Sequence, residues 1–199
     1  MALQVITAIW GNKYSEDYVT ALKRQVPGLE VLRVGNGLLE PNKYTGWWCK
    51  LEVFRPENEH LRPCLFIDLD TYVFGSLAPF EELDLTKFWM IRQFKDLRSP
   101  STKKRSNSGL FIAPKDCDEI WTHANAIDFD HGNRGKGDGD FLSQFPHEII
   151  QEHVSGIMSY KCDRLEREKP DCRIVCFHGR PRLHETEGWA KDYWTSMTQ

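Results

Sequence analysis

Asp68 and Asp70 stand two residues apart at the close of the run Phe66-Ile67-Asp68-Leu69-Asp70-Thr71. Where a chain leaves a strand, two carboxylates at this spacing can turn toward one hard cation, and Mg²⁺ or Mn²⁺ takes such oxygens alongside substrate phosphates. A second group ends the last apolar run of the chain: His178-Gly179-Arg180-Pro181-Arg182. Its imidazole can join carboxylates on Mn²⁺, Gly179 lets the backbone approach a ligand, and the guanidiniums of Arg180 and Arg182 have the geometry to grip a diphosphate. Each group alone has a plainer reading, as solvated carboxylates at a strand end and as a structural histidine. Together they supply the two halves of a metal-diphosphate site.

Both groups need strands to carry them. Residues 63–69 (PCLFIDL) are apolar until the aspartates, and residues 174–177 (IVCF) are apolar until His178, the pattern of strands buried on both faces. Residues 4–9 (QVITAI) open the chain in the same way. Ser15, Glu16 and Asp17 then offer a cap and an acidic first turn to a helix whose Tyr18, Leu22 and Val26 recur at helical spacing up to Pro27-Gly28. Further strands are predicted at 29–34, 88–92 and 109–113, with helices at 47–54 and 116–127 and another starting near Asp140. Strands alternating with helices predict an α/β fold with a mostly parallel central sheet flanked by helices, with functional residues beyond the carboxyl ends of the strands. Residues 95–106 and 128–139 read as polar loops.

In this order the motifs resemble those of GT-A glycosyltransferases, a Rossmann-like fold, and especially glycosyltransferase family 8. Residues 46–77 resemble the family's helix bearing a basic residue, followed by a strand and the metal-binding D-x-D. Asn107-Ser108-Gly109-Leu110-Phe111 resembles its N-S-G segment, Gly137-Asp138-Gly139-Asp140-Phe141-Leu142 stands in the place of its D-Q-D-x-L-N, and His178-Gly179-Arg180-Pro181-Arg182 resembles its closing H-x-x-G-x-x-K-P-W.

The resemblance implies one catalytic domain over residues 1–199 that moves a sugar from a nucleoside-diphosphate sugar, a UDP-sugar above all, to an acceptor hydroxyl with Mn²⁺ or Mg²⁺. It implies Asp68, Asp70 and His178 at the metal, Asp68 also at the ribose, and Arg182, with Arg180 and Gly179, at the diphosphate. Lys50 is implied where a basic residue meets the donor. Thr7, Ala8 and Trp10 are implied in the nucleotide pocket, and Asn107 and Ser108 at the sugar. Asp140 is the first choice for the carboxylate beside the transferred sugar, orienting its hydroxyls or acting as general base, and Asp138 is the alternative. The family pattern favours retention of configuration. Phe141 stands where its glutamine is expected and the closing motif is shortened, so inversion stays open.

Composition frames these readings. In 199 residues, 40% are hydrophobic and 12% aromatic, well beyond what disordered chains carry. A net charge of -3 excludes a wholesale basic nucleic-acid or membrane-surface binder. No apolar run is long enough to span a bilayer, and the first ten residues lack the pattern of a secretion leader, so a cytoplasmic protein is expected. The six cysteines have no C-x-x-C spacing, which predicts reduced thiols. Lys103-Lys104-Arg105, with Lys95 and Arg98 nearby, are a solvated loop or a patch steering a polyanionic acceptor, whether a phosphorylated glycan or DNA carrying a hydroxymethylated base. Two rival readings are a haloacid-dehalogenase-type phosphatase and a non-catalytic nucleotide-sugar binding module. The first expects Thr two residues beyond the second Asp, where Tyr72 stands.

Overall fold

A computed structural model describes residues 3–33, 46–94, 106–126 and 137–199. β1 (Gln4–Ile9) and β2 (Glu30–Arg33) flank α1 (Glu16–Gln25), the unit expected from the sequence. Ser15 holds the N-cap place of α1, but its hydroxyl donates to Asp17 Oδ2 at 3.0 Å and accepts no hydrogen bond from a helix N–H. β3 (Cys64–Ile67), β4 (Thr71–Val73), β5 (Trp89–Arg92), β6 (Ser106–Ala113) and β7 (Glu148–Ile149) follow, and β8 (Ile157–Ser159) and β9 (Ile174–Cys176) complete the strands.

Six strands form the central sheet in the order β2-β1-β3-β6-β5-β7. β1 pairs in parallel with β2 and β3, β5 pairs in parallel with β7, and β6 is antiparallel to both β3 and β5. Every strand of this sheet except β6 therefore points the same way, which is the mostly parallel sheet read from the sequence. A second sheet of three strands, β4-β9-β8, was not foreseen.

Two apolar cores cover the two faces of the central sheet. Leu65 and Ile67 of β3 enter one, with Tyr18 and Leu22 of α1, Tyr72 and Val73 of β4, and Trp194 of a C-terminal helix, Gly188–Thr198. Cys64 and Phe66 enter the other, with Leu51, Val53 and Phe54 of a 3₁₀ segment, Gly46–Phe54, and with Ile120 and Phe141. Successive side chains of a strand point to opposite faces, so β3 has no polar residue until both cores end at Asp68.

The helix expected at 116–127 is observed at Asp118–Ala126. The one expected near Asp140 begins earlier, at Asp138–Leu142. β6 begins three residues before the predicted strand, so Asn107 and Ser108 are strand residues. The register between β5 and β6 jumps there: Met90 faces Phe111 and Ile91 faces Asn107, one step on β5 against four on β6. Ser108 and Gly109 are thus pushed out of the ladder with β5, the re-aiming effect of a bulge.

Candidate active site

Asp68 follows β3 and Asp70 precedes β4, so the two carboxylates sit where the central sheet hands over to the small one. Backbone pairing holds each in place: Asp68 N–H donates to the Gly109 carbonyl at 2.9 Å, and Phe177 N–H donates to the Asp70 carbonyl at 2.8 Å. Gly109 has to be small. A Cβ built there lies 2.9 Å from Asn107 Oδ1 and 3.4 Å from Asp68 Oδ2.

Lys50 enters this junction from the 3₁₀ segment with its side chain almost fully buried. Its Nζ lies 2.7 Å from Asp68 Oδ1 and 2.8 Å from Asp138 Oδ2, and donates to the Ser108 carbonyl at 3.1 Å. Burial alone would depress the ammonium, but the carboxylates of Asp138 and Asp68 outweigh it and hold the group above its ordinary value. Ser108 Oγ donates to Asp138 Oδ2 at 2.5 Å. On the other side, the Tyr14 hydroxyl donates to Asp70 Oδ2 at 2.7 Å. Burial, and then the neighbouring Asp68, push the Asp70 carboxyl up to about 6. Three carboxylates against the ammonium groups of Lys50 and Lys13 leave a net negative charge around a confined space.

That space is a cavity of about 220 Å³ whose walls include Ala8, Trp10, Lys13, Tyr14, Trp47, Lys50, Asp68, Asp70, Asn107, Ser108, Asp138, His178 and Gly179. The strands open into it at their carboxyl ends, as expected for an open α/β sheet. His178 follows β9. Its Nε2 is 2.7 Å from Ser159 Oγ, its ring stacks on Phe94 with centroids 5.5 Å apart, and its carbonyl accepts a hydrogen bond from Lys161 Nζ. Among the described residues no three His, Cys, Asp or Glu side chains converge as a ready metal site.

Four of the residues singled out from sequence lie off the cavity wall. Thr7 points into the core on the α1 face, fully buried, and its Oγ1 has no hydrogen-bond partner among the described residues. Asp140 is exposed, because residues two apart on a helix face different ways and Asp138 takes the inward side. Arg180 is 78% exposed and lies 3.8 Å from Glu185. Arg182 donates to the Lys13 carbonyl at 3.0 Å with its guanidinium over the Tyr14 ring. The basic run 95–105 lies outside the described residues. Sequence reasoning missed Lys13, Tyr14 and Trp47. The first two follow the carboxyl end of β1, where a ligand-binding turn is expected.

Neither family models nor the sequences of characterised proteins match this chain. Solved structures do. The galactosyltransferase LgtC, in complex with donor and acceptor sugar analogs, superposes with a TM-score of 0.64 at 11% identity, over 98% of this chain and 95% of that one. This chain has the GT-A glycosyltransferase fold. The apo form of the glycosyltransferase GlyE of Streptococcus pneumoniae TIGR4 gives a TM-score of 0.61 at 12% identity, over 100% of this chain and 60% of that one. A glycosyltransferase involved in glycosylating the major capsid of PBCV-1 gives 0.58 at 12%, over 99% and 98%. At such identities the likeness is one of fold, and function has to be argued from the site. Within this GT-A fold the carboxylates, Lys50 and His178 meet in one cavity at the strand ends. All six cysteines are free, and among the described residues no helix is long and apolar enough to cross a membrane.

Proposed function

We propose that this protein is a divalent-metal-dependent glycosyltransferase that moves a sugar from a nucleoside-diphosphate sugar, a UDP-sugar, to an acceptor hydroxyl in the cytoplasm. The observation that carries this reading is the gathering of Asp68, Asp70 and Asp138 against Lys50 and Lys13, a net negative charge in the cavity at the strand ends of a GT-A fold. Buried carboxylate oxygens in surplus over the nearby ammonium groups suit a hard divalent cation, Mn²⁺ or Mg²⁺. Asp68 and Asp70 would hold it, with His178 on the same wall. Once bound, the cation neutralises the diphosphate as it leaves.

The chain's own groups do the rest. Ala8 and Trp10 offer an apolar wall to the base, and the Trp10 indole can stack on it. Asn107 and Ser108, both on the cavity wall, present side-chain hydrogen-bonding groups to sugar hydroxyls. Asp138, fixed by Lys50 and Ser108, is the carboxylate beside the transferred sugar in preference to Asp140, because only Asp138 faces the cavity. Retention is the stereochemistry that the family resemblance favours. Closing the acceptor over the cavity keeps water from competing for the sugar.

The test is a panel of nucleotide sugars with MnCl₂, read as thermal stabilisation and as release of nucleoside diphosphate. A cognate donor raises the melting temperature in proportion to the logarithm of its concentration over its dissociation constant. No response from any donor, or rapid phosphate release from simple phosphate esters and Mg²⁺, overturns the proposal, the latter in favour of a phosphatase.

A further inference from the structure

Trp47 is the one strongly exposed large hydrophobic side chain among the described residues, with 56% of its surface open, and it stands on the cavity wall. An indole left in water on the wall of a cavity marks a contact to be made. The segment presenting it is firmly anchored. Gly46, at φ +60°, turns the chain into the 3₁₀ segment. Trp48 packs on Phe141 with ring centroids 6.2 Å apart, and Cys49 to Phe54 are buried.

In a 3₁₀ helix side chains three apart eclipse, with about 6 Å of rise per turn. Trp47 therefore lies on the same edge as Lys50. Lys50 reaches down to Asp68 and Asp138, and Trp47 stands one turn further along, toward the rim. The indole thus stands about one turn from the lysine that joins Asp68 and Asp138. The base end, at Ala8 and Trp10, belongs to a different strand. A group entering the cavity beside Trp47 meets an exposed indole face. That face suits the apolar C–H face of a pyranose, whose hydroxyls remain free around its edge.

We infer that Trp47 is the stacking platform for the pyranose ring of a glycan acceptor. This rests on the glycosyltransferase reading and adds the acceptor class to it. A Tyr in its place keeps a flat face, whereas Ala removes it.

The test uses the full chain as wild type, Trp47→Ala and Trp47→Tyr. Each is assayed with the cognate donor and MnCl₂ against methyl glycosides of galactose, glucose and mannose. The expected result is an acceptor KM about tenfold higher in Trp47→Ala, restored to within about threefold by Trp47→Tyr, with the donor KM within twofold throughout. An unchanged acceptor KM, or a donor KM that rises with it, overturns the inference and leaves glycosyl transfer standing. A wild type without turnover of any nucleotide sugar instead overturns the glycosyltransferase reading. A second measurement needs no turnover. In protein carrying 5-fluorotryptophan, the ¹⁹F line missing from Trp47→Tyr is that of Trp47. It shifts on adding millimolar methyl glycoside, and a line unmoved by all three sugars overturns the platform.

Discussion

The Tyr14 hydroxyl donates to Asp70 Oδ2 at 2.7 Å across 56 residues of sequence, tying the turn before α1 to the second carboxylate of the D-x-D. Burial, then the charge of Asp70, hold the phenol proton in place by pushing Tyr14 far above its ordinary value. Tyr14→Phe removes the donor, keeps the ring, and leaves a buried carboxylate oxygen short of a partner. The expected cost is about 1–3 kcal/mol, a fall in Tm of about 2–4 °C for each of these. Thermal unfolding checks it, and an unchanged Tm shows that water replaces the phenol.

Lys50 is enclosed by opposite charge, and its removal sets two carboxylates against each other. Lys50→Met is expected to destabilise by about 3–5 kcal/mol, because Asp68 and Asp138 lose the cation between them. Adding Asp138→Asn should recover part of that loss by removing one of the two charges. Urea unfolding of the single and double variants measures the coupling. Additive costs would mean that the two residues act independently.

The two aspartates of the Gly137–Leu142 stretch are expected to separate in kinetics. Asp138→Asn should lower kcat by about 10²-fold, the scale of removing one fixed polar group at a reacting centre. Asp140→Asn, on an exposed side chain, should change it by at most about threefold. Transfer or donor-hydrolysis rates decide. Equal losses would return the assignment to Asp140.

Thiol chemistry gives a prediction with a definite sign. Burial pushes Cys49 up to about 12, and Cys117 and Cys172 up to about 11. In the unfolded chain these thiols ionise near about 8.5. The contribution they make to stability is present in full below that value and is lost as pH rises through the folded values. Tm should therefore fall steadily between about pH 8.5 and 11, and native Cys117 should resist iodoacetamide at pH 8 while the urea-unfolded chain reacts. Rapid alkylation of Cys117 in the folded protein at pH 8 would contradict its burial.

The parts of the fold that could be read from sequence are those in which burial writes a pattern. β3 is apolar at every residue because it feeds two cores in alternation, Leu65 and Ile67 to one side, Cys64 and Phe66 to the other. β9 was legible as the apolar run before His178, but β4 and β8 have three residues each, too few to show a period, so the sheet they form with it was not. Asn107 and Ser108 look like turn residues by type, but Asn107 pairs with Ile91 of β5 beside a register jump and Ser108 continues the same strand. The D-x-D, Lys50 and His178 were legible because each is a charged or polar residue at or beside an apolar run. The choice between Asp138 and Asp140 was not. It depends on which side of a five-residue helix faces Lys50, and a glycine-rich stretch hides where that helix begins. Ser159, the partner of the His178 ring, gave no signal because its segment carries no motif.

Only residues 68–70 lie between β3 and β4, and these strands belong to different sheets. A cation held by both Asp68 and Asp70 would therefore act as a rivet across a seam. By linkage, its affinity would report the docking of the small sheet as much as the chemistry of its ligands. Loosening β8 or β9, well away from any substrate, would then weaken metal binding, and metal would in turn protect those two strands from hydrogen exchange.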